Sequence, residues 1–395
     1  MKMIPRLGIL AALAAAALAA QDFQHVVSVI NIEVPVRVFK GDTFVDTLGL
    51  KDFEVLENGR VQTIDAVYLI KKTEVTRGEG ARTAAPRVAR QFVLFFEMSE
   101  YLPEIETALD FFFAKVLLRG DSLIVVTPMH RYRLRPESLA LETPAHLKAN
   151  LLGKLRTDIL VGNAEYVNTL RELDQSMVEV DDRPLDEKME TYGVYLSRLE
   201  DLRKVDEAGL IKFADFLKGE PGQKYVYLFY QREVVPKFAP KTLEMLISNN
   251  MDDIALQFQL MEKFQFFKRD VAFDVEAVKK AYADSSIVVH FLFLTKSPAH
   301  NLPIESSRPS ELTFVEQSED IYSAFSEIAG ATGGIADTSA NAASAFERAV
   351  AASENYYLIY YKPADFKPDG SFREITVRVK SGNYRVTHRA GYIAK

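Results

Sequence analysis

The chain has no cysteine and no tryptophan. Without cysteine there are no disulfides, no thiolate-held zinc, no iron–sulfur cluster and no thiol nucleophile. Histidine is scarce: His25, His130, His146, His290, His300 and His388. None of them pair four residues apart and no His-Glu-x-x-His occurs, so the usual zinc-hydrolase helix is missing. There is no Gly-x-Ser-x-Gly elbow and no phosphate loop. Beyond the first twenty residues, no apolar run reaches the roughly 18 residues of a membrane-spanning helix. Positive charge is also short, with 48 Lys and Arg against 55 Asp and Glu. An acidic chain lacks the basic surface that a phosphate backbone requires, so neither nucleic acid nor an anionic membrane is an expected partner.

What remains is the composition of a globular protein: 395 residues, 48% hydrophobic, 26% charged and 11% aromatic. That length suits two or three domains, each with its own core. Lys2 and Arg6 flank an Ala-rich apolar run, Leu7 to Leu18, and Ala17-Leu18-Ala19 meets the small-x-small cleavage rule. Residues 1–20 therefore read as a signal peptide, which implies a secreted or periplasmic protein with no membrane insertion after cleavage. No Cys stands at the cleavage point, which excludes lipid modification there. Losing Lys2 and Arg6 takes the basic residues to 46 against 55 acidic, a formal charge of −9.

Residues 21–72 show strand periodicity. Val34, Val36 and Val38 alternate with Pro35 and Arg37, and Asn58-Gly59 supplies a hairpin turn. We expect a small β-sandwich-like module there, then a polar linker over 73–90. Over 91–356 the pattern changes. Phe92 to Phe96 and Ser122 to Thr127 are strands suited to burial on both faces, separated by a helical repeat from Ile105 to Leu117. Further buried strands are expected at Tyr225–Tyr230, Ile287–Leu294 and Tyr357–Tyr361. Helices are expected at Pro144–Leu155, Val275–Ala283, Glu319–Ala329 and Ala342–Ser353. Strand–helix–strand order implies a parallel sheet covered by helices.

Two helical insertions interrupt this body, at about 163–220 and 238–268. In the first, Leu185, Met189, Tyr192, Leu196, Leu199 and Leu202 form one apolar stripe, expected to pack on its own domain. The Phe-rich end of the second (Phe258, Phe264, Phe266, Phe267) reads as core. Asp181-Asp182 reads as a solvated turn, His290 as a core histidine, and Thr332-Gly333-Gly334 as a helix cap. Residues 357–395 form a C-terminal β extension with turns at Asp369-Gly370 and Ser381-Gly382-Asn383.

Three stretches taken in order resemble one family. They are Val34-Pro35-Val36-Arg37-Val38 with Leu50-Lys51-Asp52-Phe53 through Gln62, then Ile328-Ala329-Gly330-Ala331-Thr332-Gly333-Gly334, then Tyr357-Leu358-Ile359-Tyr360-Tyr361-Lys362-Pro363 with Arg389-Ala390-Gly391-Tyr392. This set is similar to secreted bacterial proteins built around a von Willebrand factor A-related domain, of the acidobacterial type. The resemblance implies an α/β fold: a Rossmann-like A domain, a parallel sheet with helices on both faces, plus a small N-terminal β module and a C-terminal β hairpin.

Many A domains hold a divalent cation through Asp-x-Ser-x-Ser after the first strand, a Thr in a second loop and an Asp after a later strand. Hard cations need such oxygen donors. The matching positions here are Glu97, Ser99 and Tyr101, then Asn163, then Gln231, so only Ser99 survives unchanged. A bulky Tyr101 cannot stand in for a Ser hydroxyl, and Gln231 brings no charge. The expected site is therefore degenerate, with no metal and no cofactor, and Arg232 is expected to swing toward Glu97 in the cation's electrostatic place. The expected function is a secreted, non-enzymatic protein-binding or scaffold protein, whose partner the sequence does not identify. Its binding edge would be Glu97, Ser99, Glu100, Tyr101, Asn163, Gln231 and Arg232, or binding would use the helical insertion instead. One alternative is a metal-dependent adhesion module that retains a cation through Glu97, Ser99 and Asn163. Another is a hydrolase with an uncharacterised site.

Overall fold

The structure is a computed structural model and describes residues 30–81, 86, 88–177, 183, 185–231, 234–249, 251–258, 273–295, 311–316 and 319–395. The expected signal peptide, 1–20, with Asp181-Asp182, Arg232, Phe264, Phe266 and Phe267, lies outside the described residues.

The alternating N-terminal sequence forms β1 (Ile32–Lys40), a short β2 (Thr43–Phe44), β3 (Phe53–Glu57), β4 (Arg60–Gln62), β5 (Ile64–Lys71) and β6 (Glu74–Gly80). Asn58 and Gly59 join β3 to β4 at φ +46° and +77°, the left-handed pair that a two-residue hairpin needs. The apolar run after them becomes β7 (Arg90–Glu97). Helix α1 (Glu104–Phe111) follows and ends in a π turn over Phe112–Val116. Then come β8 (Ser122–Val126), β9 (Arg131–Leu134), α2 (Pro136–Leu141) and α3 (Pro144–Gly162). The first insertion supplies α4 (Ala164–Ser176), α5 (Leu185–Leu202) and α6 (Glu207–Lys218) before β10 (Gln223–Gln231). The second follows as β11 (Val234–Phe238) and α7 (Pro240–Asn249). The chain continues through α8 (Val275–Asp284), β12 (Ile287–Leu294), β13 (Leu312–Glu316), α9 (Glu319–Ala331), β14 (Ala336–Ser339) and α10 (Ala342–Ser353). It closes with β15 (Asn355–Tyr361), β16 (Phe372–Val379), β17 (Arg385–His388) and β18 (Gly391–Ile393).

Among the described residues these strands form four sheets. One has the order β14-β12-β10-β7-β8-β9. Its first five strands run parallel, and β9 is antiparallel to β8. One of its faces carries a core of Phe92, Phe96, Phe112 and Phe229 with Leu109, Leu155 and Phe346 from α1, α3 and α10. The other packs on Phe213, Tyr282 and Phe325 from α6, α8 and α9. The remaining three sheets are wholly antiparallel: β17-β1-β15-β5-β6 with β2 on β1, then β18-β16-β3-β4, and the β11-β13 ribbon. The first two share one core, where Val34, Val36, Phe53, Val55, Tyr357, Ile359 and Val377 meet.

The expected fold class is corrected by this arrangement. The Rossmann-like von Willebrand factor A class, a parallel sheet with small β appendages, does not describe the chain. The protein is a mixed α/β chain with several antiparallel sheets and a single mixed one, and only five of its eighteen described strands have parallel neighbours. Two physical causes lie behind the difference. First, β8 and β9 are joined by four residues, Thr127 to His130, which can only reverse the chain. A parallel neighbour needs a crossover of a dozen or more. Second, Tyr357–Tyr361 has the unbroken apolar composition of a buried parallel strand, yet β15 lies antiparallel between β1 and β5. That sheet is buried on both faces, with Tyr357 and Ile359 toward the sandwich and Tyr356, Leu358 and Tyr360 away from it. Burial on both sides selects the same residues whichever way the neighbours run.

The expected boundaries shift for the same reason. β6 occupies part of the expected linker, 73–90. The N-terminal module and the C-terminal extension are not separate, because β15 and β17 flank β1, and β16 pairs with β3. The insertion stripe packs internally as expected. Met189, Tyr192, Leu196 and Leu199 of α5 meet Tyr166, Leu170 and Leu173 of α4, with Phe238 and Leu312 from the ribbon. Phe258, expected in a core, is exposed.

Gly334 is set by close approach rather than by a turn. A Cβ at this position would stand 1.9 Å from the Val289 carbonyl oxygen of β12. Thr332 holds the two segments together, its hydroxyl accepting from the Val289 N–H at 3.0 Å. Gly334→Ala is expected to cost about 2–4 kcal/mol by forcing the backbone apart. Urea denaturation of the variant measures this, and an unchanged midpoint would refute the close-packing account.

Candidate functional site

β7 and β10 are adjacent and parallel, with Glu97 opposite Tyr230. Their C-terminal ends therefore deliver Glu97 and Gln231 to one edge of the mixed sheet. Gln231 is completely buried. Its Oε1 accepts from the Ser99 N–H at 3.0 Å, the Glu100 N–H at 3.0 Å and the Ser99 hydroxyl at 3.2 Å. Its Nε2 donates to Glu100 Oε1 at 3.2 Å. From the other side Asn163, the residue that ends α3, donates its Nδ2 to Met98 O at 2.7 Å and Ile159 O at 2.9 Å. The two amides clamp residues 98–100 between them. Tyr101 is half-buried, its ring packed against the core on that face of the sheet, with the Arg156 guanidinium over it at 4.8 Å.

The expected site residues Glu97, Ser99, Glu100, Tyr101, Asn163 and Gln231 thus gather at one edge. Arg232 lies outside the described residues. The described cation beside Glu97 is Arg203, just past α5, with its Nη1 3.9 Å from Glu97 Oε1. Arg203 is buried and lies over the rings of Tyr166 at 5.0 Å and Tyr230 at 6.0 Å. No sequence signal marked it, since its position depends on how the insertion folds back over β7.

The donor set here does not suit a divalent cation. A carbonyl oxygen has two lone pairs, and Gln231 Oε1 already accepts from three donors. Glu97 faces a guanidinium. Among the described residues no group of three or more His, Asp or Glu side chains is placed to hold a metal ion. The Ser99 hydroxyl donates to an amide oxygen, which cannot accept its proton, so Gln231 is no general base for it.

Two features beyond this edge escaped the sequence reading. The first centres on Asp158, a buried carboxylate within α3. It accepts from the Thr127 hydroxyl at 2.7 Å and the Tyr132 hydroxyl at 2.8 Å, and pairs with His130 Nδ1 at 3.0 Å. Burial pushes the Asp158 carboxyl up, but these three hydrogen bonds outweigh it and hold the group below the usual carboxylate range. Burial and the neighbouring carboxylate push Tyr132 up to about 12. The cluster ties the β8–β9 turn to α3. In sequence Asp158 is one polar residue in an amphipathic helix, with nothing to distinguish it.

The second feature is a cavity of ≈ 300 Å³ beside Glu97, between the sheet and helices α6, α8 and α9. Its wall is mainly apolar, and Arg131, Arg203, Lys204, Glu97 and Asp206 also line it.

No family model matches the chain, and no curated protein matches it. Among solved structures, the crystal structure of the human COPII-coat protein Sec24c is similar with a TM-score of 0.29 and 9% identity, over 84% of this chain and 46% of that chain. The chain therefore spans less than half the length of that protein. A likeness this weak carries no argument about fold or function, and the von Willebrand factor A resemblance gains no support from it.

Proposed function

We propose that the protein is a non-enzymatic binding or scaffold protein that acts outside the cytoplasm. It recognises a protein partner at the edge formed by Glu97, Ser99, Glu100, Tyr101, Asn163 and Gln231, without a divalent ion. The observation that carries this reading is the saturated oxygen of Gln231, with its three donors from Ser99 and Glu100. Those contacts make the loop a rigid surface beside the part-exposed Glu97 rather than a ligand cage. Rigid presentation favours recognition, because little loop entropy is lost on binding. The N-terminal signal pattern supports export. Among the described residues no helix is long and apolar enough to cross a membrane.

Calorimetric titration with Mg²⁺ and Ca²⁺ tests the ion-free claim. The expected result is no saturable heat, with Ser99→Ala indistinguishable from the unaltered chain. Tight binding that Ser99→Ala abolishes would replace this reading with a metal-dependent adhesion module. Reproducible turnover of peptide, ester or glycan substrates by the purified chain would replace it with an enzyme.

A further inference from the structure

We infer that the cavity beneath α6 is a binding site for a small amphipathic carboxylate, with its apolar body against the sheet and its anionic head at Arg131. This inference does not rest on the protein-binding edge. The cavity wall is built by Phe95, Leu210, Phe213, Leu228, Val278 and Ile328, drawn from β7, α6, β10, α8 and α9. Close-packed interiors contain few voids larger than a water molecule. A cleft lined largely by such side chains offers an apolar guest a place out of water. A volume of ≈ 300 Å³ falls at the small end of ligand pockets.

Two polar observations point to the chemistry of the guest. Tyr282 lines the cavity and is 4% exposed. Its hydroxyl makes no hydrogen bond to any described residue, and burial raises its pKa. A hydroxyl that lines the cavity and bonds no described residue is open to an acceptor oxygen on a guest. Around the cavity, three cations outnumber two carboxylates. Asp206 caps α6 through the Gly209 N–H at 2.9 Å, Lys204 pairs with Asp201 at 2.6 Å, and Arg203 faces Glu97. That leaves Arg131. Its guanidinium lies over Phe213 at 4.9 Å and Phe216 at 5.8 Å, with no carboxylate partner among the described residues. Phe213 is itself a wall residue, so the unpaired cation and the apolar space are contiguous. In a chain of net charge −7, an unneutralised guanidinium beside an apolar cavity complements a carboxylate on a hydrocarbon body.

Calorimetric titration of the full chain with octanoate, with octanol and acetate as companion probes, tests the inference. Octanoate is expected to bind saturably, one per chain. Octanol should bind about tenfold more weakly for want of the charge-assisted contact, and acetate should not bind, for want of the apolar body. Arg131→Gln is expected to bring octanoate to the level of octanol. Tyr282→Phe should weaken it severalfold, and Val289→Phe, which fills the cavity from β12, should abolish binding in a chain that still melts cooperatively. If Val289→Phe does not fold, Arg131→Gln at its exposed position decides the matter. No saturable binding, equal affinity for octanoate and octanol, or full affinity in Arg131→Gln would each overturn the inference. None of these outcomes bears on the cation titration proposed for the protein-binding edge.

Discussion

Arg90→Met is expected to cost the fold about 3–5 kcal/mol, and Asp121→Leu a similar amount, while the double variant recovers most of the loss. Arg90 opens β7 and is 4% exposed; Asp121 precedes β8 and is 2% exposed. The pair is bidentate, with Nε to Oδ1 at 3.0 Å and Nη2 to Oδ2 at 2.6 Å. Arg90 Nη2 also donates to Val116 O at 2.9 Å, and Asp121 Oδ2 accepts from the Leu118 N–H at 2.7 Å. The guanidinium lies over the Phe92 ring at 4.9 Å. Removing either charge strands the other in a buried site, and that penalty exceeds the net worth of the pair. Two apolar side chains of similar size remove both charges together. Urea denaturation of the two single variants and the double one measures the difference. Additive losses in the double variant would show that the contacts matter individually and that the stranded charge does not.

The second large expected effect is loss of stability on mild acidification, centred on His290. The ring is 1% exposed, in the middle of β12, and stacks on Tyr227 at 5.0 Å and 12°. Its Nδ1 accepts from the Ile335 N–H at 3.4 Å, which places the ring proton on Nε2. Burial, assisted by the Arg37 guanidinium, pushes its pKa from 6.5 down to about 3. A base whose folded pKa is depressed stays neutral in the fold while the unfolded chain takes up its proton. Stability is therefore complete above about pH 6.5 and falls as the pH drops toward 3, by roughly 1.4 kcal/mol per unit. The loss attributable to this ring reaches about 2 kcal/mol at pH 5 and about 4–5 kcal/mol across the full window. His388, also lowered by burial, acts in the same direction. His290→Phe keeps the stack on Tyr227 and removes the proton site. Urea midpoints of the two chains should diverge steadily between pH 7 and pH 4. Parallel curves would mean that His290 is not the group responsible.

Much of the local structure was legible because its physics is local. The Asn58-Gly59 hairpin needs only two residues tolerant of positive φ. Pro144 at the start of α3 and the three-and-four spacing along α5 act within a few turns of chain. The grouping of Glu97, Ser99 and Gln231 was expected only through the family resemblance, which maps all three to one sheet edge. The roles within that group were not. Gln231 was read as a lost charge, whereas its oxygen holds the loop by accepting three hydrogen bonds. The cation beside Glu97 comes from between two helices of an insertion, more than a hundred residues along the chain. Asp158 and Arg131 carried no local mark, because their importance depends on partners that only the packed helices supply.

By itself the sequence determined the strongly periodic strands and helices, most of the apolar residues that are buried, and which chemistries lack their side chains altogether. Those are properties of short windows and of composition. The tertiary structure decided the direction of each strand's neighbours, the union of the two chain ends in one sandwich, and the cavity beneath α6. A strand buried on both faces needs the same side chains in a parallel or an antiparallel sheet, so strand composition leaves the pairing open. Only the lengths of the connections and the shared core decide it.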